Sequence, residues 1–241
     1  MENALIVIPA RIGSTRLPNK VLADINGKPL ILRAYECALA ANIGKVIVAC
    51  DDERIKEIVG NAGGTAILTN PKLASGTDRV HSAWQKFDLN KEYEYIINVQ
   101  GDIPNLDLEF IRETVRILKE TNYDIATAGV PIKDESYKLS SVVKPVISFA
   151  NETQGQALYF SRSEIPYGGP YYFHVGLYGF RANSLEKFVS LPQSNLEKIE
   201  KLEQLRALEN GMTIGIKILN KPAPISIDTQ EDLGHARAVI F

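Results

Sequence analysis

The stretch ALIVIPARIGSTRLPNK, residues 4–20, decides how the rest of the chain is read. Residues 4–8 are apolar and largely β-branched, the composition of a strand buried on both faces of a parallel sheet. Pro9 then removes a backbone donor, so strand pairing is expected to stop there. The loop that follows carries Arg11, Arg16 and Lys20, hydroxyls at Ser14 and Thr15, and a glycine at 13. Open α/β sheets bind ligands at the carboxyl ends of their strands, and here three cations follow such an end directly. Guanidinium groups grip phosphate oxygens in pairs, a lysine acts as a mobile point charge, and Gly13 permits close approach of the backbone to an anion. A solvated basic loop is the competing reading, and the abrupt change from strand to loop argues for phosphate.

The surrounding composition narrows the partner. The chain has 241 residues and a formal net charge of −2, so the basic cluster is local and not part of a nucleic-acid or membrane-binding face. A small polyanion is the expected ligand. The length suffices for one large α/β domain with an ample core. Residue 1 leads straight into the strand without a basic leader, and no apolar run approaches a bilayer span, so a cytoplasmic protein without membrane insertion is expected. Cys37 and Cys50 are too few for a disulfide framework or a metal knuckle and are read as small buried residues.

Beyond the loop, residues 24–29 read as a turn, with Pro29 opening a helix to about Ala41. Strands at 45–50 and 65–69 alternate with helices at 52–61 and 76–87, the pattern of a parallel sheet with right-handed crossovers. A core strand at 95–99 stops at Gln100-Gly101-Asp102, and Leu108, Ile111, Val115 and Leu118 mark the next helix. From about Asp124 the spacing changes, with strands at 124–130, 142–148, 156–160 and 173–181 that suggest antiparallel additions. Helices follow at 183–190 and 195–209, then strands at 213–219 and 224–227 and a closing helix from Thr229. No Pro/Gly/Ser-rich linker separates domains, so residues 1–241 are read as one domain.

The segment IPARIGSTRLPNKVLADINGKPLI resembles the amino-terminal signature of the sugar-acid cytidylyltransferases, in particular the CMP-Kdo synthetase family. The resemblance continues in order through SGTDR, NVQGD, ALYFSRSEIP, HVGLYGF and IDTQEDL. It implies an α/β, Rossmann-like nucleotidyltransferase fold with a mostly parallel central sheet flanked by helices and an antiparallel C-terminal extension. The nucleotide-binding part would span about 1–123, the sugar-acid-binding and dimerisation part about 124–212, and a closing segment 213–241. The implied reaction transfers CMP from CTP to 3-deoxy-manno-octulosonate (Kdo), releasing pyrophosphate, with magnesium as cofactor and a homodimer as the assembly. Another sugar acid, such as the 8-amino analogue of Kdo, is the alternative acceptor, and a non-catalytic nucleotide-sugar-binding protein is the alternative of a different class.

Nucleotidyl transfer requires a neutralised triphosphate and an aligned attacking oxygen. Asp102 and Asp228 each end an expected strand and are the expected magnesium ligands, magnesium taking one or two carboxylates plus phosphate and water oxygens. Asp228 has a rival reading as a helix cap. Lys20, Arg11, Arg16 and Asp102 are the expected catalytic residues, Lys20 on the transferring phosphate and the arginines on the departing pyrophosphate. The nucleotide-contact set is Ala10, Arg11, Gly13, Ser14, Lys20, Asp51, Ser75, Gly76 and Arg79. Of these, Ser75-Gly76 alone reads as an ordinary helix start, and the resemblance places it beside the cytidine. Asp51 is read equally as a surface cap. For the sugar acid the resemblance singles out His174, Tyr178, Glu203 and Gln204, with Gln100 toward the reacting centre. Glu203 is expected to share a helical face with Leu196 and Ile199 and so to face a cavity. Arg162 is read either as a contact to the acceptor's carboxylate or as a structural pair. The chain departs from the family at Ile103, where an acidic residue is usual before the proline, and in a short segment at 167–173. Neither a P-loop nor a dinucleotide fingerprint is present, which removes the usual support for ATPase and dehydrogenase readings.

Overall fold

The computed structural model describes residues 3–240. The chain divides into two compact units, Met1–Arg112 with Pro224–Phe241 and Glu113–Ala223. The division falls inside the helix Leu108–Glu120 and not at a linker, so composition does not mark it.

In the first unit, strand β1 (Ala4–Ala10) has almost every side chain buried. Helix α1 (Leu30–Ala40) follows a two-stranded hairpin, β2 (Asp24–Ile25) and β3 (Lys28–Pro29), whose turn residues Asn26 and Gly27 both have positive φ. That left-handed pair is what a two-residue hairpin turn needs. Pro29 is the N-cap of α1, whose first helical residue is Leu30, one position later than expected. Strands β4 (Lys45–Cys50), β5 (Thr65–Leu68) and β6 (Tyr95–Asn98) alternate with helices α2 (Glu53–Asn61) and α3 (Gly76–Phe87). The strands run in the order β5-β4-β1-β6, and every pairing is parallel. The chain therefore steps outward from β1 to β5 and returns across β1 to β6. The order reverses between β1 and β6, which opens a crevice at their carboxyl ends.

Pro9 ends strand pairing on one side only. The β1–β6 ladder stops at Val7 and Asn98, whereas the β1–β4 ladder runs through Pro9 to Ala10 and Cys50. The expected strand at 224–227 does not form. That segment is extended chain whose amides are met by the loop after β6, Ile225 N donating to Asn105 Oδ1 and Ile227 N to the Asp102 carbonyl. The closing helix of the first unit is Gln230–Val239.

The second unit contains most of helix α4 (Leu108–Glu120) and strands β7 (Ile125–Pro131), β8 (Lys144–Phe149), β9 (Gln154–Ser161), β10 (Tyr172–Arg181) and β11 (Ile214–Ile218). Their order is β10-β7-β11-β9-β8, and β7–β11 is the one parallel pairing among them. Helix α5 (Ala182–Ser190) follows β10. The single helix expected over 195–209 is two short helices, α6 (Asn195–Glu200) and α7 (Leu205–Glu209). Lys201 has a φ of 56°, a left-handed conformation that stops α6. A buried ion pair joins the pieces, Arg206 Nη2 lying 2.6 Å from Glu197 Oε1. With the closing helix of the first unit as α8, the chain is a mixed α/β fold with a parallel sheet core and antiparallel additions, as its residues led one to expect.

Candidate active site

One lysine organises the carboxyl edge of the first unit. Lys20 Nζ lies 2.7 Å from Asp102 Oδ2 and 2.9 Å from Asp228 Oδ1, and Arg16 Nη2 lies 3.0 Å from Asp228 Oδ2. The Lys20 side chain is 12% exposed, while Asp102 and Asp228 remain more open. Burial alone would lower the Lys20 pKa, but the charges and hydrogen bonds of Asp102 and Asp228 outweigh it and raise the value above that of an ordinary lysine. The ammonium therefore stays charged throughout the neutral range.

Local packing explains the convergence. Leu17 is the buried residue of the loop at 11–20, packed with Ile25, Leu30, Ile227, Leu233 and Ala236. Burying a leucine contributes about 1.5–3 kcal/mol, enough to pin the loop onto the segment that carries Asp228. Gly101 places Asp102. A Cβ at that position would stand 2.8 Å from the Pro9 carbonyl oxygen, so only glycine lets the turn after β6 pass this close to β1. The cap rivalry at Asp228 is resolved by its neighbour: Thr229 caps α8 in a capping box with Asp232, leaving the Asp228 carboxylate to Lys20 and Arg16. Ile103 is buried in the core.

The remaining nucleotide-contact candidates fall into two groups. Arg11 and Gly13 are exposed, Ser14 is half-buried, and a Cβ on Gly13 would meet nothing within 4 Å, so this rim is open. Ala10 is buried at the end of β1. Asp51 and Arg79 are instead engaged with each other beneath the loop. Arg79 Nη2 lies 3.3 Å from Asp51 Oδ2, Arg79 Nη1 donates to Thr69 Oγ1 at 2.6 Å, and Asp51 Oδ1 accepts from the Ile12 amide at 2.9 Å. Burial lowers the Arg79 pKa, and the Asp51 charge partly offsets it. The pair holds the start of the cationic loop, a role that local sequence did not signal. Ser75 caps α3 in a capping box with Asp78, which is the ordinary reading of that motif, and Gly76 follows it against the Pro9 ring. Gln100 Nε2 approaches Asn98 Oδ1 at 3.4 Å.

Four acceptor candidates belong to the second unit. His174 is buried, its Nε2 lies 2.9 Å from Thr127 Oγ1, and Thr127 Oγ1 donates its single proton to the Leu177 carbonyl at 2.6 Å. Thr127 must therefore accept from His174, which fixes the neutral imidazole with its proton on Nε2. Burial takes the His174 pKa down to about 3. The ring stacks at a tilt between Phe160 and Tyr178. Tyr178 is raised well above the usual phenol range, by burial first and then by the Glu203 charge, so it stays a hydroxyl donor. Gln204 is 5% exposed, and its Nε2 has no hydrogen-bond partner among the described residues. Glu203 sits in the break after α6, not on a continuous helical face, and Ile199 is exposed. The nearness of Glu203 to Tyr178, and not helical periodicity, ties it to this group. Arg162 takes the structural alternative: its Nε donates to the Glu200 carbonyl and its Nη1 to the Ser140 carbonyl. Lys144 escaped the sequence reading. It is fully buried, and its ammonium donates to the carbonyls of Leu139, Val142 and Arg162, tying the chain that leads into β8 to the end of β9.

Asp102 and Asp228 form a donor set that fits a magnesium ion. Each aims one carboxylate oxygen at the same point, both within 2.9 Å of a single nitrogen, and both are partly open for water or phosphate to complete the coordination. No group of three or more His, Cys, Asp or Glu suited to a metal occurs among the described residues. Such a closed cage is unnecessary for an ion that shares its coordination with phosphate.

A parallel α/β sheet with one lysine held between two aspartates, and an arginine beside them, at its switch point has the charges that a nucleotidyltransferase needs. The cytidylyltransferase family profile matches residues 5–214, and the chain belongs to that family. A 3-deoxy-manno-octulosonate cytidylyltransferase of Brucella anthropi is 48% identical over 239 residues, covering 98% of this chain and 96% of the relative. One of the same name from Paramagnetospirillum magneticum is 46% identical, covering 98% and 97%. The solved structure of a CMP:2-keto-3-deoxy-manno-octonic acid synthetase complexed with CTP superposes with a TM-score of 0.89 at 37% identity, covering 98% of each chain. A cytidylyltransferase from Leptospira borgpetersenii, at 16% identity and a TM-score of 0.65, shares the fold.

Proposed function

We propose that this enzyme transfers CMP from CTP to the C2 hydroxyl of Kdo, releasing pyrophosphate and supplying CMP-Kdo for lipopolysaccharide assembly. The observation that carries the reading is the convergence of Lys20, Arg16, Asp102 and Asp228 at the sheet's switch point, in a chain close to half identical to relatives that bear this name. The acceptor hydroxyl forms a bond to the α-phosphorus in line while the bond from that phosphorus to the bridging oxygen breaks. Lys20 turns to the oxygens of the transferring phosphate as charge builds there, and Arg11 and Arg16 hold the departing pyrophosphate. Asp102 and Asp228 would hold a magnesium ion, which would neutralise phosphate charge. Asp51 and Arg79 keep the cationic loop in place for this work, and Ser75-Gly76 lies on the nucleotide side.

Recognition of the acceptor falls to His174, Tyr178, Glu203 and Gln204, with Gln100. A polyhydroxylated acid offers both donors and acceptors, and the buried Gln204 amide is a donor in want of an acceptor. His174 serves as a neutral ring whose Nδ1 accepts, and Tyr178 as a donor. The enzyme works as a homodimer in the cytoplasm. Among the described residues no helix is long and apolar enough to cross a membrane.

The test is to incubate the protein with magnesium, each of the four nucleoside triphosphates, and Kdo or its 8-amino analogue, identifying the product and measuring pyrophosphate. CMP-Kdo from CTP alone is expected, with loss of product on chelation of the metal. Pyrophosphate release without acceptor, or equal use of all four triphosphates, would refute the mechanism. A preference for the 8-amino analogue would keep the chemistry and change the acceptor. Light scattering at working concentration tests the dimer.

A further inference from the structure

We propose that Lys20 is a latch on the metal site, an internal cation that occupies the meeting point of Asp102 and Asp228 until an incoming triphosphate draws it away. The proposal rests on the reading of these aspartates as metal ligands. Two observations carry it. The Lys20 ammonium is within 2.9 Å of one oxygen of each aspartate, the place a divalent cation would take, and its side chain is only 12% exposed. A second cation, Arg16, already engages the other oxygen of Asp228. Without nucleotide, a divalent ion must therefore evict an ammonium from two short ion pairs or bind beside a like charge at close range.

The triphosphate removes the obstacle by offering Lys20 and Arg16 new anionic partners. Metal and nucleotide then bind with positive coupling, and the coupling is reciprocal. The latch also keeps the two carboxylates in place. A pair of aspartates converging on one point would repel each other if no cation lay between them, and Lys20 is the cation that lies between them. The enzyme thereby keeps its aspartates aligned without holding a metal, and admits the metal together with the substrate whose charge it must neutralise.

The test is direct binding of Mn²⁺, read by electron paramagnetic resonance of the free ion, with no turnover involved. In nucleotide-free wild-type protein uptake should be weak, and inorganic triphosphate should strengthen it. Lys20→Met without nucleotide should bind Mn²⁺ about tenfold or more tightly than wild type, a modest return for removing one like charge at contact distance. The gain should vanish in Lys20→Met/Asp102→Asn, which places the ion at this site. Circular dichroism of both variants checks that they fold. Equal Mn²⁺ affinity in wild type and Lys20→Met, or a gain that survives Asp102→Asn, would overturn the latch. Product formation by the wild type is measured separately. A gain in Mn²⁺ affinity without CMP transfer would sink the proposed function and leave the latch, and transfer without the gain would do the reverse.

Discussion

Acidification should destabilise this protein in part through His174, and the size of that contribution follows from the burial of its ring. In the folded chain burial holds its pKa down to about 3, whereas an unfolded chain has a histidine near 6.5. Between those values the unfolded state binds a proton that the folded state refuses, so stability falls as pH falls below about 6.5 and the loss levels off near the folded value. Each pH unit in that window costs about 1.4 kcal/mol, so moving to about pH 5 removes about 2 kcal/mol through His174 alone. Carboxylates titrate over part of the same range, so the measurement is a difference of differences. Denaturant unfolding of wild type and His174→Gln is compared at about pH 7.5 and about pH 5, the glutamine amide being able to donate to Thr127 in place of Nε2 without titrating. Wild type should lose about 2 kcal/mol more than the variant over this interval. Equal losses would mean that the folded protein accommodates a charged His174, and the neutral-ring argument would fail.

Other outcomes follow from the same geometry. Lys20→Ala should lower kcat by about 10² to 10³ with the fold intact by circular dichroism, since it removes a positioned charge from the reacting phosphate; unchanged turnover would exclude that role. Gly101→Ala should shift Asp102, because its Cβ would stand 2.8 Å from the Pro9 carbonyl, and a displacement of this kind costs about 10² in rate. A Gly101→Ala enzyme with wild-type kcat would show that the turn gives way without moving the carboxylate. Arg79→Met leaves Asp51 buried without its counter-charge and should cost about 3–5 kcal/mol in denaturant unfolding, and Arg79→Met/Asp51→Asn should recover part of that loss. Full additivity of the two substitutions would deny the coupling. Cys50 is buried and its thiol pKa is pushed up to about 11, by burial above all, so it should resist alkylation in the native protein at mildly alkaline pH and react on unfolding. Rapid native labelling at Cys50, read by mass spectrometry, would contradict its burial.

The site shows how a few local devices build a charged cluster on an apolar sheet. A buried strand ends, one leucine anchors the following loop, and a glycine lets the neighbouring turn close in on the strand. None of these residues carries the chemistry, yet each limits where Lys20 and Asp102 can stand. The buried Asp51–Arg79 pair does the same from below by holding the Ile12 amide.

What the residues determined by themselves were the features that depend on near neighbours. Apolar runs of strand length, the strand–helix alternation through Phe87 and the acids that follow strand ends can be read from periods of two and 3.6 and from the turns that interrupt them. They mark Lys20 and Asp102 as groups just past strand ends, while the strand expected before Asp228 does not form. Tertiary structure alone decided which groups meet. Lys20 and Asp228 are 208 positions apart, and their contact depends on Leu17 and Ile227 being buried together. Whether Arg79 faces a ligand or Asp51, whether Arg162 is free or spent on carbonyls, and whether His174 can hold a proton are questions of burial and partner. The break at Lys201 was hidden for a related reason. The residues from 195 to 209 suit a helix locally, and the left-handed turn between α6 and α7 goes with the buried Glu197–Arg206 pair, nine positions apart, that spans it. Propensity is a property of neighbours along the chain, while the energy of a buried charge is fixed by whatever the chain brings back to it.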